Sequence, residues 1–145
     1  MWWQWIEWFA KIIGALGTGA AVWVAAFNYR SQTQIKRAEW VKSLFEKFFE
    51  TPTYKEVRVW LDYNELSEKL MVADEKERRA NEEKFTDFLN FFEFIGVLYS
   101  RHQLSFEQVY EVFDYYLGKI KDDPNCRIWI DKYGFEKLKV LLAVV

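Results

Sequence analysis

Residues Trp2 to Phe27 read WWQWIEWFAKIIGALGTGAAVWVAAF, an apolar stretch holding one acid, Glu7, and one base, Lys11. A hydrocarbon core about 30 Å thick needs roughly 20 apolar residues of helix. At 1.5 Å per residue, about 26 residues reach roughly 39 Å, which covers the core and part of one headgroup layer. Trp2, Trp3, Trp5 and Trp8 crowd the first turns, and Trp23, Phe27 and Tyr29 stand at the far end. Indoles at both ends fit the aromatic belts of two membrane interfaces. The stretch is therefore expected to be a transmembrane helix.

Two other readings compete with this one. A secretory signal peptide wants a basic region ahead of its apolar core and a small-residue cleavage site. Here the first base, Lys11, follows four tryptophans, and no clear cleavage site appears. A buried helix of a soluble protein draws support from the uncharged run Ile12–Asn28, slightly short for a span. Beyond the span come Arg30, Lys36, Arg37, Lys42 and Lys47 against Glu39 and Glu46, while Glu7 stands alone on the other side. Basic flanks stay on the cytoplasmic side. The expected topology in a bacterial inner membrane is a periplasmic amino terminus and a cytoplasmic carboxyl domain. The single cysteine, Cys126, allows no internal disulfide, in keeping with a reducing compartment.

The span is sorted around its circumference. On a wheel of about 100° per residue, Glu7, Lys11, Gly14, Thr18, Ala21, Ala25 and Asn28 fall on one stripe, all small, polar or charged. Trp2, Ile6, Phe9, Ile13, Leu16, Ala20, Trp23 and Phe27 fall roughly 140° away, bulky and apolar except for Ala20. Small residues let helices approach closely in lipid, and ionisable residues face a bundle interior or a water-filled cavity. The expectation is self-association, with the small, polar stripe at the helix contact or the axis of a pore. The 3.5-residue step favours near-parallel left-handed packing. Against this, small residues are common in spans, and Glu7 can snorkel to the interface or pair with Lys11 at i, i+4.

The remaining residues suit one domain. Lysine plus arginine number 20 and acids 22, a net charge of −2 with the signs interleaved, so no basic nucleic-acid footprint exists. Aromatics make up 20 % of the chain, ample for a core. Helical spacing runs throughout. Trp40, Leu44, Phe45, Phe48 and Phe49 give an apolar face to a helix that can continue from the span. Thr51-Pro52 ends it and starts another, threonine as cap and proline at the first position. There Val57, Trp60, Leu61 and Leu66 share a side. The charged run Asp74–Lys84 is a solvated connection or an exposed helix start. Phe85, Phe88, Leu89, Phe92, Ile95 and Tyr99, widened by Phe91, Phe94 and Leu98, predict the central core helix. A turn over Ser100–Gln103 precedes a capping box, Ser105-Phe-Glu-Gln108, and a helix carrying Val109, Val112, Phe113, Tyr116 and Leu117. Asp123-Pro124 and Gly134 set off two short helical pieces. The expected class is all-α.

Catalytic patterns are missing. His102 is the sole histidine, beside Arg101 in a turn and without a nearby cysteine, a poor metal ligand or base. Gly14, Gly17 and Gly19 lie in the span and form no phosphate loop, and no serine sits in a nucleophile elbow. No Arg-x4-6-His ribonuclease pattern occurs. Arg58 and Asp62, at i, i+4, read most simply as a surface ion pair.

The runs Ala38–Phe49 after a single span, Leu89-Asn-Phe-Phe-Glu-Phe-Ile-Gly-Val-Leu-Tyr99, and Leu104-Ser-Phe-Glu-Gln-Val-Tyr-Glu-Val-Phe113 resemble a family of small bacterial membrane-anchored proteins of unknown function. Some members are known as phage-abortive-infection proteins. The resemblance covers most of the chain. Where that family usually has glycine in the turn, this chain has Arg101-His102-Gln103. The family brings no catalytic residues. It implies a membrane-tethered helical domain in antiviral defence; membrane accessory proteins of CRISPR RNA-targeting systems, some of them pores, are a neighbouring resemblance.

The resulting expectation is a transmembrane helix over 1–29 and a cytoplasmic helical domain over 30–145. It is a non-enzyme without cofactor or metal, and it does not bind nucleic acid directly. Its partners are the bilayer, further copies of itself, and a defence protein or phage signal. Triggered, it permeabilises or depolarises the inner membrane. The alternative is an adaptor whose helical domain recruits a protein and whose span only anchors.

Overall fold

The computed structural model describes residues 28, 29 and 32–145. Backbone contacts divide the chain into two units, Met1–Glu39 and Trp40–Val145. In the first, the described residues are helical, and Asn28 is exposed. The rest of the expected inner stripe, the tryptophan belt and the join across 30–31 lie outside the described residues. Among the described residues no helix is long and apolar enough to cross a membrane.

The second unit is all-α; among the described residues there is no strand. Its helices are α1 (40–50), α2 (Pro52–Asp62), α3 (Leu66–Leu70), α4 (Glu75–Ser100), α5 (Phe106–Asp122), α6 (Pro124–Tyr133) and α7 (Glu136–Leu142). The long α4 is the axis, as its spacing predicts: Phe85, Phe88, Leu89, Phe92 and Ile95 are fully buried. Its charged first turns are helical, and Asp74 caps them by accepting from the Glu77 amide at 2.8 Å. Asn81 on the same stretch is buried and donates to the Lys69 carbonyl at 2.9 Å, tying α3 to α4.

Several local expectations are corrected. Thr51 stands at the N-cap of α2 with proline behind it, but its side chain caps nothing there. Its hydroxyl donates backward to the Lys47 carbonyl, which also accepts from the Thr51 amide at 3.2 Å. Leu66 is buried, but in α3 rather than α2, because Asn64 takes a left-handed φ of 57° and turns the chain. Trp40, Phe45 and Phe94 remain about half exposed. On α1 the core takes only Leu44 and Phe48, one turn apart.

The breaks at 105, 123 and 134 follow their chemistry. Ser105 accepts from the Gln108 amide at 3.2 Å, and the Gln108 side chain accepts from the Ser105 amide at 2.9 Å. Asp123 caps α6 through the amides of Asn125 and Cys126 at 2.7 and 3.1 Å. Gly134 closes α6 at φ 75°, a left-handed position that favours glycine.

Helix α7 lacks a cap of its own. Glu93 of α4 supplies one, its two oxygens accepting from the amides of Lys137 and Leu138 at 3.1 and 2.7 Å. One turn on, Gly96 lies so close that an added Cβ would collide with the Lys137 backbone carbonyl. Gly96→Ala should therefore cost about 1–3 kcal/mol by overpacking, although alanine favours helix, seen as a lower urea midpoint by circular dichroism. His102 holds a left-handed φ of 56° in an exposed turn. His102→Gly should stabilise the fold by about 1 kcal/mol, seen as a higher urea midpoint, since that conformation is strained for residues with a Cβ.

Candidate functional site

The α1–α2–α5 side of the domain gathers its polar side chains around aromatic rings. Arg58 is only 7 % exposed. Its guanidinium lies 5.0 Å from the Phe48 ring centre, 4.6 Å from Phe49 and 6.0 Å from Tyr116. It donates to the Phe49 carbonyl at 3.1 Å, at the carboxyl end of α1 where the helix dipole is negative. Asp62, one turn on, accepts from the hydroxyls of Tyr115 and Tyr116 at 3.0 and 3.2 Å. Arg58 and Asp62 thus serve different partners, and the expected surface ion pair between them is not formed. The clue lay in register: Arg58 follows Tyr54 by four residues and precedes Leu61 by three, so it shares their buried side.

The charged and hydroxyl groups of this cluster are engaged with one another, with ring faces and with a backbone carbonyl. Burial, then the Asp62 charge, push the Tyr116 phenol up to about 12, while Arg58 pulls the other way. The protonated phenol donates its hydrogen bond to the Asp62 carboxylate at 3.2 Å. Cys126 is likewise buried, and desolvation followed by Asp123 pushes its thiol up, away from the reactive thiolate. Among the described residues no group of three or more His, Cys, Asp or Glu could hold a metal. His102 stands exposed in its turn.

What the domain does present is apolar surface. A groove of about 320 Å³ runs between α1 and α4, lined by Trp40, Ser43, Leu44, Phe94 and Leu98. Trp40 is 48 % exposed and Phe94 52 %, on either wall of a floor formed by the buried Leu44 and Leu98. Phe94 stands on α4 between Phe91 and Leu98, both of which are buried in the core, so it alone of the three turns outward. A second recess, about 260 Å³, lies between α5, α6 and α7.

The Tyr116 phenol has a consequence for stability. Its native pKa lies above the unfolded value near 10. Its contribution is therefore complete below about pH 10 and is lost as pH rises through about 12. Urea midpoints taken between these limits should fall with pH, and less steeply in Tyr116→Phe.

No curated protein and no solved structure matches the chain. A family model does, over residues 15–133, from the carboxyl-terminal half of the apolar stretch through α6. The chain belongs to the family described as "Domain of unknown function (DUF4760)".

Proposed function

We propose that the protein is a single-span membrane effector that self-assembles and, when triggered, permeabilises or depolarises the inner membrane in antiviral defence. The observation that carries this reading is the sorting of Trp2–Phe27 into a small, polar stripe and a bulky one. A helix that only anchors meets lipid on every side and gains nothing from such sorting. Packing of small residues, by contrast, is what associates helices in a bilayer. Glu7 and Lys11 on that stripe are costly toward lipid and tolerable toward an interior. The defence setting rests on the resemblance of the 38–49, 89–99 and 104–113 runs.

One structural observation favours the adaptor reading. The groove between Trp40 and Phe94 leaves two large aromatics half exposed, and aromatics with a polar rim are typical of protein recognition. In that case the span would hold a recruiting domain at the membrane and take no part itself.

Replacing Trp2–Phe27 with an unrelated span of equal length separates the two. An effector should lose protection in a phage-challenge assay, whereas an adaptor should keep it. Within the native span, Gly14→Leu or Ala21→Leu should break the oligomer seen by native mass measurement and abolish the membrane-potential dye response. Leu16→Ala, on the bulky stripe, should do far less. Equal effects on both stripes would overturn the assignment of faces, and a monomer at every concentration would overturn self-assembly.

A further inference from the structure

The recess between α5, α6 and α7 pairs an apolar floor with a cationic rim. Its floor is the buried Ile130 with Leu142 and Ala143, and Lys121, Arg127 and Lys139 stand around it with one acid, Asp131. Lys139 is already engaged, 3.2 Å from Asp131 and 3.4 Å from Glu136. Lys121 and Arg127 make no ion pair among the described residues; Arg127 donates only to the Asp122 carbonyl, at 3.3 Å. Two cations thus remain over a floor that water solvates poorly. The volume of about 260 Å³ equals that of roughly nine liquid waters, enough for a short alkyl chain.

We propose that this recess binds a small amphipathic anion, a phosphate monoester or carboxylate carrying a short unbranched apolar tail. Arg127 and Lys121 take the charged head, Arg127 offering its planar fork of donors to two oxygens. The tail covers Ile130, Leu142 and Ala143. Lys139, neutralised by Asp131, serves as wall rather than ligand. The site lies within the second unit and does not depend on the span or on the reading of the protein as an effector or an adaptor. A free ester and the head of a membrane lipid share this chemistry.

The test is methyl NMR of Ile130, Leu142 and Ala143 in the full-length protein, held in phosphatidylcholine nanodiscs and titrated with ethyl, butyl and hexyl phosphate. Shifts should appear at all three methyl sites. Each added methylene should tighten binding about fourfold until the recess is full. The double variant Lys121→Gln/Arg127→Gln should weaken hexyl phosphate at least about tenfold, and Lys132→Gln, on the outer face of α6, should not. Hexanol should bind far more weakly than hexyl phosphate. Absence of shifts, affinity independent of tail length, or hexanol binding as tightly as the phosphate would each overturn the proposal. Adding phosphatidylglycerol to the nanodiscs then tells the sources apart: displacement of hexyl phosphate marks a lipid head, and undisturbed binding marks a free anion.

Discussion

The packing of Phe48 is the contact on which the domain depends. Its ring is fully buried, with the rings of Phe88, Phe91, Phe92, Phe113 and Tyr116 at 5.3 to 5.7 Å and Tyr54 at 6.4 Å. Those neighbours come from α2, α4 and α5, so one side chain of α1 joins all three. Most of these pairs meet edge to face or tilted, the arrangement ring quadrupoles prefer. Truncating a buried phenylalanine costs about 3–5 kcal/mol, a large part of a small domain's stability. Arg58 follows from this centre. A buried guanidinium is costly without partners, and the faces of Phe48 and Phe49 together with one helix-end carbonyl are what keep it.

The second fixed point is the clasp between α4 and α7. Glu93 spends its charge on the amino end of a seven-residue helix that would be marginal alone. Gly96 brings the α7 backbone close enough for that bond to form. The Asn90-Phe-Phe-Glu93 run, which reads as a motif, is thereby explained by architecture: Phe91 and Phe92 fill the core beneath Phe48, and Glu93 caps a distant helix. A glutamate in an apolar run invites a catalytic reading. Here its oxygens are already satisfied by amides.

Local chemistry was legible, and long-range pairing was not. The capping box at Ser105, the stop at Asp123-Pro124 and the buried stripe of α4 each depend on residues within a turn or two, so spacing alone exposes them. Thr51 misled because its hydroxyl had two acceptable roles, cap of the next helix or closer of the last, and only geometry chooses. Arg58 and Asp62 misled in the same way: an i, i+4 ion pair is a local default, and rings 10 residues before and 58 after displaced it. Nothing in the sequence near Glu93 announces a helix 44 residues on that lacks a cap. The groove and the basic recess were hidden because each is shared by helices distant in sequence.

The groove and the recess set apolar and charged side chains outside the core. Half-exposed Trp40 and Phe94 gain little from folding and leave apolar area in water. Lys121 and Arg127 line one recess and make no ion pair among the described residues, in a chain whose charges are otherwise interleaved. The core around Phe48, the clasp at Glu93 and the Asn81 bond to the Lys69 carbonyl hold the helices together and satisfy the buried polar side chains. The groove and the recess lie on different helices, α1 with α4 and α5 with α6 and α7, so a change at one leaves the lining of the other in place.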